Sequence, residues 1–176
     1  AFFAVEDWQQ AMLARIPQLV AAAETNGEYN AVPFLLVAEA TAAIEVGDWD
    51  RAERQLDRSR AVSLETGLLN ALGSALFLRA QLAALRGQVD LATRLLDGID
   101  AAAGVVMVDT SARALTALAA GDLHAAAERF RTFWDHAANH RLTNWAPGRV
   151  TFGYDAVEVL LRTGDRASAE TIAAEI

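Results

Sequence analysis

The sequence predicts an all-α fold, a right-handed solenoid of antiparallel helical hairpins with about nine helices in one domain over residues 1–176. Three observations predict it. Four segments align without gaps: Gly47-Asp-Trp-Asp-Arg-Ala52, Gly87-Gln-Val-Asp-Leu-Ala92, Gly121-Asp-Leu-His-Ala-Ala126 and Gly164-Asp-Arg-Ala-Ser-Ala169. Their glycines are 40, 34 and 43 residues apart, room for one helix-turn-helix pair per repeat. The composition, with 39 alanines and only three prolines, leaves long windows free to be helical and lets helices approach closely.

Along the chain, residues 4–25 form a first helix, and Glu6-Asp7-Trp8 followed by Ala11 resembles Gly47-Asp48-Trp49 followed by Ala52. It therefore reads as the second helix of an upstream hairpin. An Ala/Leu-rich helical stretch precedes each repeat glycine: Val32 to Val46, Asn70 to Arg86, Val105 to Ala120 and Arg149 to Thr163. A more charged helix follows each glycine. Glycine ends the first helix of a hairpin in a left-handed conformation, and Asp48, Asp122 or Asp165 can cap the second. The alanine five residues after each glycine lets the two helices pack closely, and nine residues after it stand Leu56, Leu96, Phe130 and Ala173 on the same apolar face. Hairpin turns are thus expected near Gly47, Gly87, Gly121 and Gly164. Solenoid ends need polar capping. None is visible at either end, so the chain is expected to be a fragment of a longer protein, and the apolar faces at Ala1–Phe3 and Ala167–Ile176 suggest self-association through uncapped ends.

These repeats resemble tetratricopeptide-like arrays, and more narrowly the helical region of the large ATP-binding LuxR-type transcriptional regulators. The segments that carry the narrower resemblance are Glu65-Thr66-Gly67 ahead of the helix Ala71 to Arg86 and Gly87, then Trp145-Ala-Pro-Gly ahead of Asp155-Ala-Val-Glu-Val-Leu160 and Gly164-Asp-Arg-Ala-Ser-Ala169. The resemblance implies a bacterial regulator with a nucleotide-binding domain on one side, a DNA-binding helix-turn-helix on the other, and this array between them sensing an inducer or partner. A general protein-protein scaffold, an adaptor unrelated to transcription, is the alternative.

Composition removes several chemistries. The chain has no Lys and no Cys, so a P-loop, a Schiff-base lysine, a Ser-x-x-Lys hydrolase, a disulfide and a thiolate nucleophile are all unavailable within it. An all-Arg, Ala-rich usage suggests a GC-rich bacterial genome. Net charge of −8 opposes direct nucleic-acid contact by this segment. No stretch approaches the roughly 20 apolar residues of a membrane span. No membrane association and a cytoplasmic location are expected.

His136 and His140 stand four apart on a predicted helix, a metal-ligand spacing, yet without Cys or a metalloprotease Glu they read as a polar helix end. Glu6/Asp7 and Asp48/Asp50 sit at repeat turns, where capping explains them better than acid-base chemistry. Ser59, Ser63 and Ser74 lack a nucleophile elbow. Phe130, Phe133, Trp134 and Trp145 read either as a ligand cage or as core, with Phe130 and Phe133 assigned to the core by their repeat positions. No catalytic residue, metal or cofactor is therefore expected.

In such arrays the first helix of each hairpin lines the concave face. Counting ten and six residues back from each glycine gives Val37 and Thr41, Phe77 and Gln81, Ser111 and Leu115, Tyr154 and Glu158 as groove residues, flanked by Arg79 and Arg113. This lining lacks the Lys and Asn of carboxylate-clamping tetratricopeptide domains. The expected occupant is an extended peptide, a small amphiphilic effector or another domain of the parent protein.

Overall fold

The structure is a computed structural model describing residues 2–99, 106–139 and 146–176. Among these residues nine helices and no strand occur: α1 (Phe2–Thr25), α2 (Val32–Glu45), α3 (Trp49–Thr66), α4 (Leu69–Leu85), α5 (Val89–Asp97), α6 (Val106–Ala119), α7 (Leu123–Asn139), α8 (Ala146–Arg162) and α9 (Arg166–Ala173). They pair as hairpins α2–α3, α4–α5, α6–α7 and α8–α9, with α1 packed on α2 as the second helix of a preceding unit would be. The fold is an α-solenoid of helical hairpins.

The same hydrogen bonds build all four hairpin turns. Gly47, Gly87, Gly121 and Gly164 have φ of 80°, 71°, 80° and 84°, the left-handed region that glycine enters at little cost. Each donates its N–H to the carbonyl three residues back, and the next residue donates to the carbonyl before that one, as in Asp48 N to Ala43 O at 2.9 Å and Gln88 N to Ala83 O at 2.8 Å. The orphan carbonyls of the first helix are thereby satisfied within the turn. Asp48, Asp122 and Asp165 then cap the second helices, accepting from Arg51 N (3.2 Å), Ala125 N (2.9 Å) and Ser168 N (3.2 Å). Gln88 at the equivalent position makes no such cap. Because a Cβ on Gly121 would meet nothing within 4 Å, Gly121→Ala tests the backbone alone. It should cost about 1–2 kcal/mol in urea denaturation, and unchanged stability would contradict the left-handed turn.

Behind the turns the repeat alanines Ala52, Ala92, Ala126 and Ala169 are buried, each where its helix crosses its hairpin partner. Leu56, Leu96 and Phe130 are buried one turn further on. The expectation for Ala173 is corrected: it is exposed on the last residue of the short α9, and Ile172 fills the core instead.

Successive hairpins meet in two ways. The first helices α2, α4 and α6 pack side by side, while second helices pack mainly on first helices, α3 on α4, α5 on α6 and α7 on α8. The close row of first helices is consequently the inner layer of the curve. Charge pairs set the register between hairpins. Arg79 of α4 reaches Glu53 and, at 3.4 Å, Asp57 of α3; Arg113, at the same repeat position of α6, reaches Asp97 of α5 at 3.4 Å. Arg86 bridges Glu53 and Asp50, the latter at 2.6 Å.

A different device ties α1 to the array. Pro17 lies inside α1 and has no N–H, so the carbonyl of Leu13, four residues earlier, lacks its helical donor. Arg51 of α3 supplies one, Nη2 to Leu13 O at 2.9 Å. The same guanidinium donates through Nε to Glu39 at 2.8 Å, and Gln55 adds a bond to Glu39 at 3.0 Å. The Glu39 side chain is only 2% exposed. Three helices are thus joined through one buried carboxylate and one proline-freed carbonyl.

Candidate partner-binding surface

The inner row of first helices presents an accessible stripe. On α2 it runs Phe34, Ala38, Thr41 and Glu45, at helical spacing on one face, all exposed or half-buried. Its counterpart on α4, 40 residues on, is Ser74, Leu78, Gln81 and Leu85, of which Leu78 and Gln81 are buried and Leu85 is exposed. On α8 the equivalent residues are Asp155, Glu158 and Arg162.

Of the eight residues expected to line a groove, Val37 and Thr41 are half-buried, Tyr154 and Glu158 are exposed, and Phe77, Gln81, Ser111 and Leu115 are buried. These last four are a correction to the groove register: their side chains fill the packing of the inner row. The physical reason is that α4 and α6 have helices packed on several sides, α4 against α2, α3, α5 and α6 and α6 against α4, α5 and α7, so both their ten-before and six-before positions are covered.

The stripe is nearly uncharged at its centre. Arg79 and Arg113 on first helices, and Arg86 just past the end of α4, are directed to carboxylates of neighbouring second helices. Only Glu45, which accepts from Gln9 at 2.8 Å, and the α8 group bring charge. Arg162 pairs with Glu158 at 3.2 Å. Asp155 makes no hydrogen bond or ion pair among the described residues, and burial, with neighbouring Glu158, raises its carboxyl above the usual carboxylate range. A raised carboxyl means that the folded state holds a proton the unfolded chain has released. Asp155 therefore penalises folding increasingly as pH rises through and above the ordinary carboxylate range. Asp155→Asn should raise stability at neutral pH and do little at acid pH; a variant less stable at neutral pH would show an unseen partner for this carboxylate.

Of the aromatic group singled out in the sequence, Phe130, Phe133 and Trp134 form core. Phe133 meets Trp134 and Phe152 edge to face, each at 5.9 Å, and Phe130 is fully buried. Trp134 is buried with its Nε1 on Glu175 at 3.0 Å, which closes it to a ligand. Ser59 donates to Pro33 O at 3.0 Å, a packing role between α3 and α2. His136, His140, Trp145, Ala1–Phe3 and the Glu6/Asp7 pair lie outside the residues whose side chains are described. Among the described residues, no three His, Asp or Glu side chains gather as a metal site, and no helix is long and apolar enough to cross a membrane.

The α2–α3 hairpin combines a left-handed glycine, an aspartate cap and a buried alanine close together in sequence, as α6–α7 and α8–α9 do. Residues 33–58 match the tetratricopeptide repeat. The match covers α2, the Gly47 turn and the first half of α3. No curated protein and no solved structure matches the chain. The chain thus contains a tetratricopeptide-like region, and the neighbouring hairpins repeat its turn bonds. Repeats of this kind serve protein-protein interaction and are typically non-catalytic.

Proposed function

We propose that this chain is the partner- or effector-sensing segment of a bacterial transcriptional regulator, cytoplasmic and non-catalytic, with the inner row of first helices as its binding surface. The observation that supports this surface best is the stripe Phe34, Ala38, Thr41, Ser74 and Leu85: accessible, apolar or neutral, with the arginines of the same helices bonded elsewhere. Such a surface suits a peptide segment or an amphiphilic effector held by apolar contact and a few hydrogen bonds. It does not suit a terminal carboxylate, which needs free cations. The regulator context rests on the resemblance of the Trp145-to-Ala169 stretch to LuxR-type regulators. Output would follow from a population shift, the occupant favouring one curvature of the array over another.

The test uses the full-length protein. Its flanking sequence should encode a nucleotide-binding loop before this region and a helix-turn-helix after it. In a transcription reporter, Ala38→Arg combined with Leu85→Arg should remove the response to inducer while helicity by circular dichroism stays unchanged. A normal response would refute the inner surface. Flanks that encode neither domain would leave the general scaffold as the better reading.

A further inference from the structure

The position six before each hairpin glycine holds Thr41, Gln81, Leu115 or Glu158. The Thr41 hydroxyl donates to Val37 O at 3.0 Å, Leu115 is apolar, and Glu158 pairs with Arg162 at 3.2 Å. Gln81 differs from all three. It is only 4% exposed, yet its side chain makes no hydrogen bond among the described residues. Burying a carboxamide without a partner costs free energy that an apolar side chain of similar size does not. Among the described residues, the unpartnered polar side-chain atoms sealed from solvent are Ser63 Oγ and Arg79 Nη1. The stem of Gln81 is therefore packed in the inner row while its carboxamide end still meets solvent. It does so between Leu78 and Leu85, on the face of α4 that continues the accessible stripe.

A carboxamide carries an acceptor oxygen and an NH2 donor side by side in one plane. Its full complement is a group with a donor and an acceptor on the same side, which a primary amide has. A carboxylate offers no donor and needs a cation to offset its desolvation, but Arg79 and Arg86 are engaged by carboxylates of α3. An extended main chain brings an N–H and a C=O with every residue. The stripe answers few of them, because the Thr41 and Ser74 hydroxyls have spent their protons on Val37 O and Asn70 O, each at 3.0 Å. One polar head with an apolar remainder fits this distribution better than a peptide.

We propose that the Gln81 carboxamide binds the uncharged amide head of a small amphiphile, whose alkyl tail lies along the inner face toward Phe34. The proposal rests on the inner row of first helices being the binding surface and names the class of its occupant. By repeat equivalence Thr41 stands beside Gln81, Ala38 beside Leu78 and Phe34 beside Ser74, on two helices that pack together. From Gln81 to the level of Phe34 is seven residues of helix, about 10 Å of nearly uncharged surface for the tail.

The experiment titrates the whole nitrogen-labelled chain with octanamide and follows the Gln81 side-chain NH2 resonance by NMR, identified by its loss in Gln81→Leu. Octanoate and an end-blocked peptide of alternating leucine and serine are titrated in parallel. A saturable shift with octanamide is expected, with binding about tenfold weaker for octanoate and for Gln81→Leu. Leucine is what α6 carries at this position, so Gln81→Leu should keep full helicity and lose no thermal stability. No saturable octanamide binding, equal affinity for octanoate, or tighter binding of the peptide through the same resonance overturns the proposal. Octanamide binding that survives Gln81→Leu but is lost on Ala38→Arg with Leu85→Arg overturns the role of Gln81 alone. Binding that survives in both overturns the inner surface as well.

Discussion

Arg51→Leu should destabilise the protein by about 3–5 kcal/mol, the cost of leaving a buried charge without its partner. Removing this guanidinium strands two groups at once. Glu39, almost wholly buried, keeps only Gln55 as a donor, and the Leu13 carbonyl loses the N–H that substitutes for the one Pro17 lacks. The two losses are separable by second substitutions. Glu39→Leu together with Arg51→Leu should recover part of the stability, because a buried pair replaced by apolar side chains is often near neutral. Pro17→Ala in the Arg51→Leu background should recover a different part, because residue 17 then donates to Leu13 O from within α1. In the wild-type background Pro17→Ala frees no such deficit and should gain less. Equilibrium denaturation of the five proteins measures the coupling. If Pro17→Ala contributes the same amount in both backgrounds, Arg51 does not stand in for the missing helical donor.

Ala52→Arg and Ala126→Arg should each cost at least about 3 kcal/mol and leave little folded protein at ambient temperature. Both alanines are fully buried where two helices of a hairpin cross. A long side chain there must either part the helices or bury a charge with no carboxylate placed to receive it. The same substitution at Ala11 of α1 is the internal control. Ala11 occupies the equivalent place in the sequence pattern but is exposed. Ala11→Arg should change stability by no more than about 0.5 kcal/mol. Thermal denaturation followed at 222 nm compares the three. Equal losses at all three positions would mean that helix propensity, and not hairpin packing, governs this position.

What the sequence makes legible is what repeats. Four glycines, three capping aspartates and the alanine five residues on recur at one spacing, so they signal their role without any knowledge of the third dimension. Gly27 and Gly67 also take left-handed conformations, at 74° and 70°, yet they end second helices and fall outside the repeated segment, so periodicity passes over them. The Pro17–Leu13–Arg51–Glu39 connection was not legible at all, because it joins residues as many as 38 positions apart that occur once each. The accessible stripe is half legible in the sequence. Thr41 lies on the accessible stripe, whereas Phe77 and Ser111, ten residues before their glycines, lie on a flank. A sequence pattern places residues on a helix to within a turn, but which of two adjacent faces is open depends on how closely neighbouring helices pack, and alanine-rich helices pack closely enough to consume the flank.

The central claim is an open row of hairpins held in register by left-handed glycine turns, with the first helices innermost. Methyl NOE spectroscopy on the isotopically labelled protein tests it most directly. The expected pattern links α2 to α4 and α4 to α6, links each second helix to the first helix that follows it, and gives nothing between α1–α2 and α8–α9. Strong NOEs between those two ends would contradict the row and require a closed bundle.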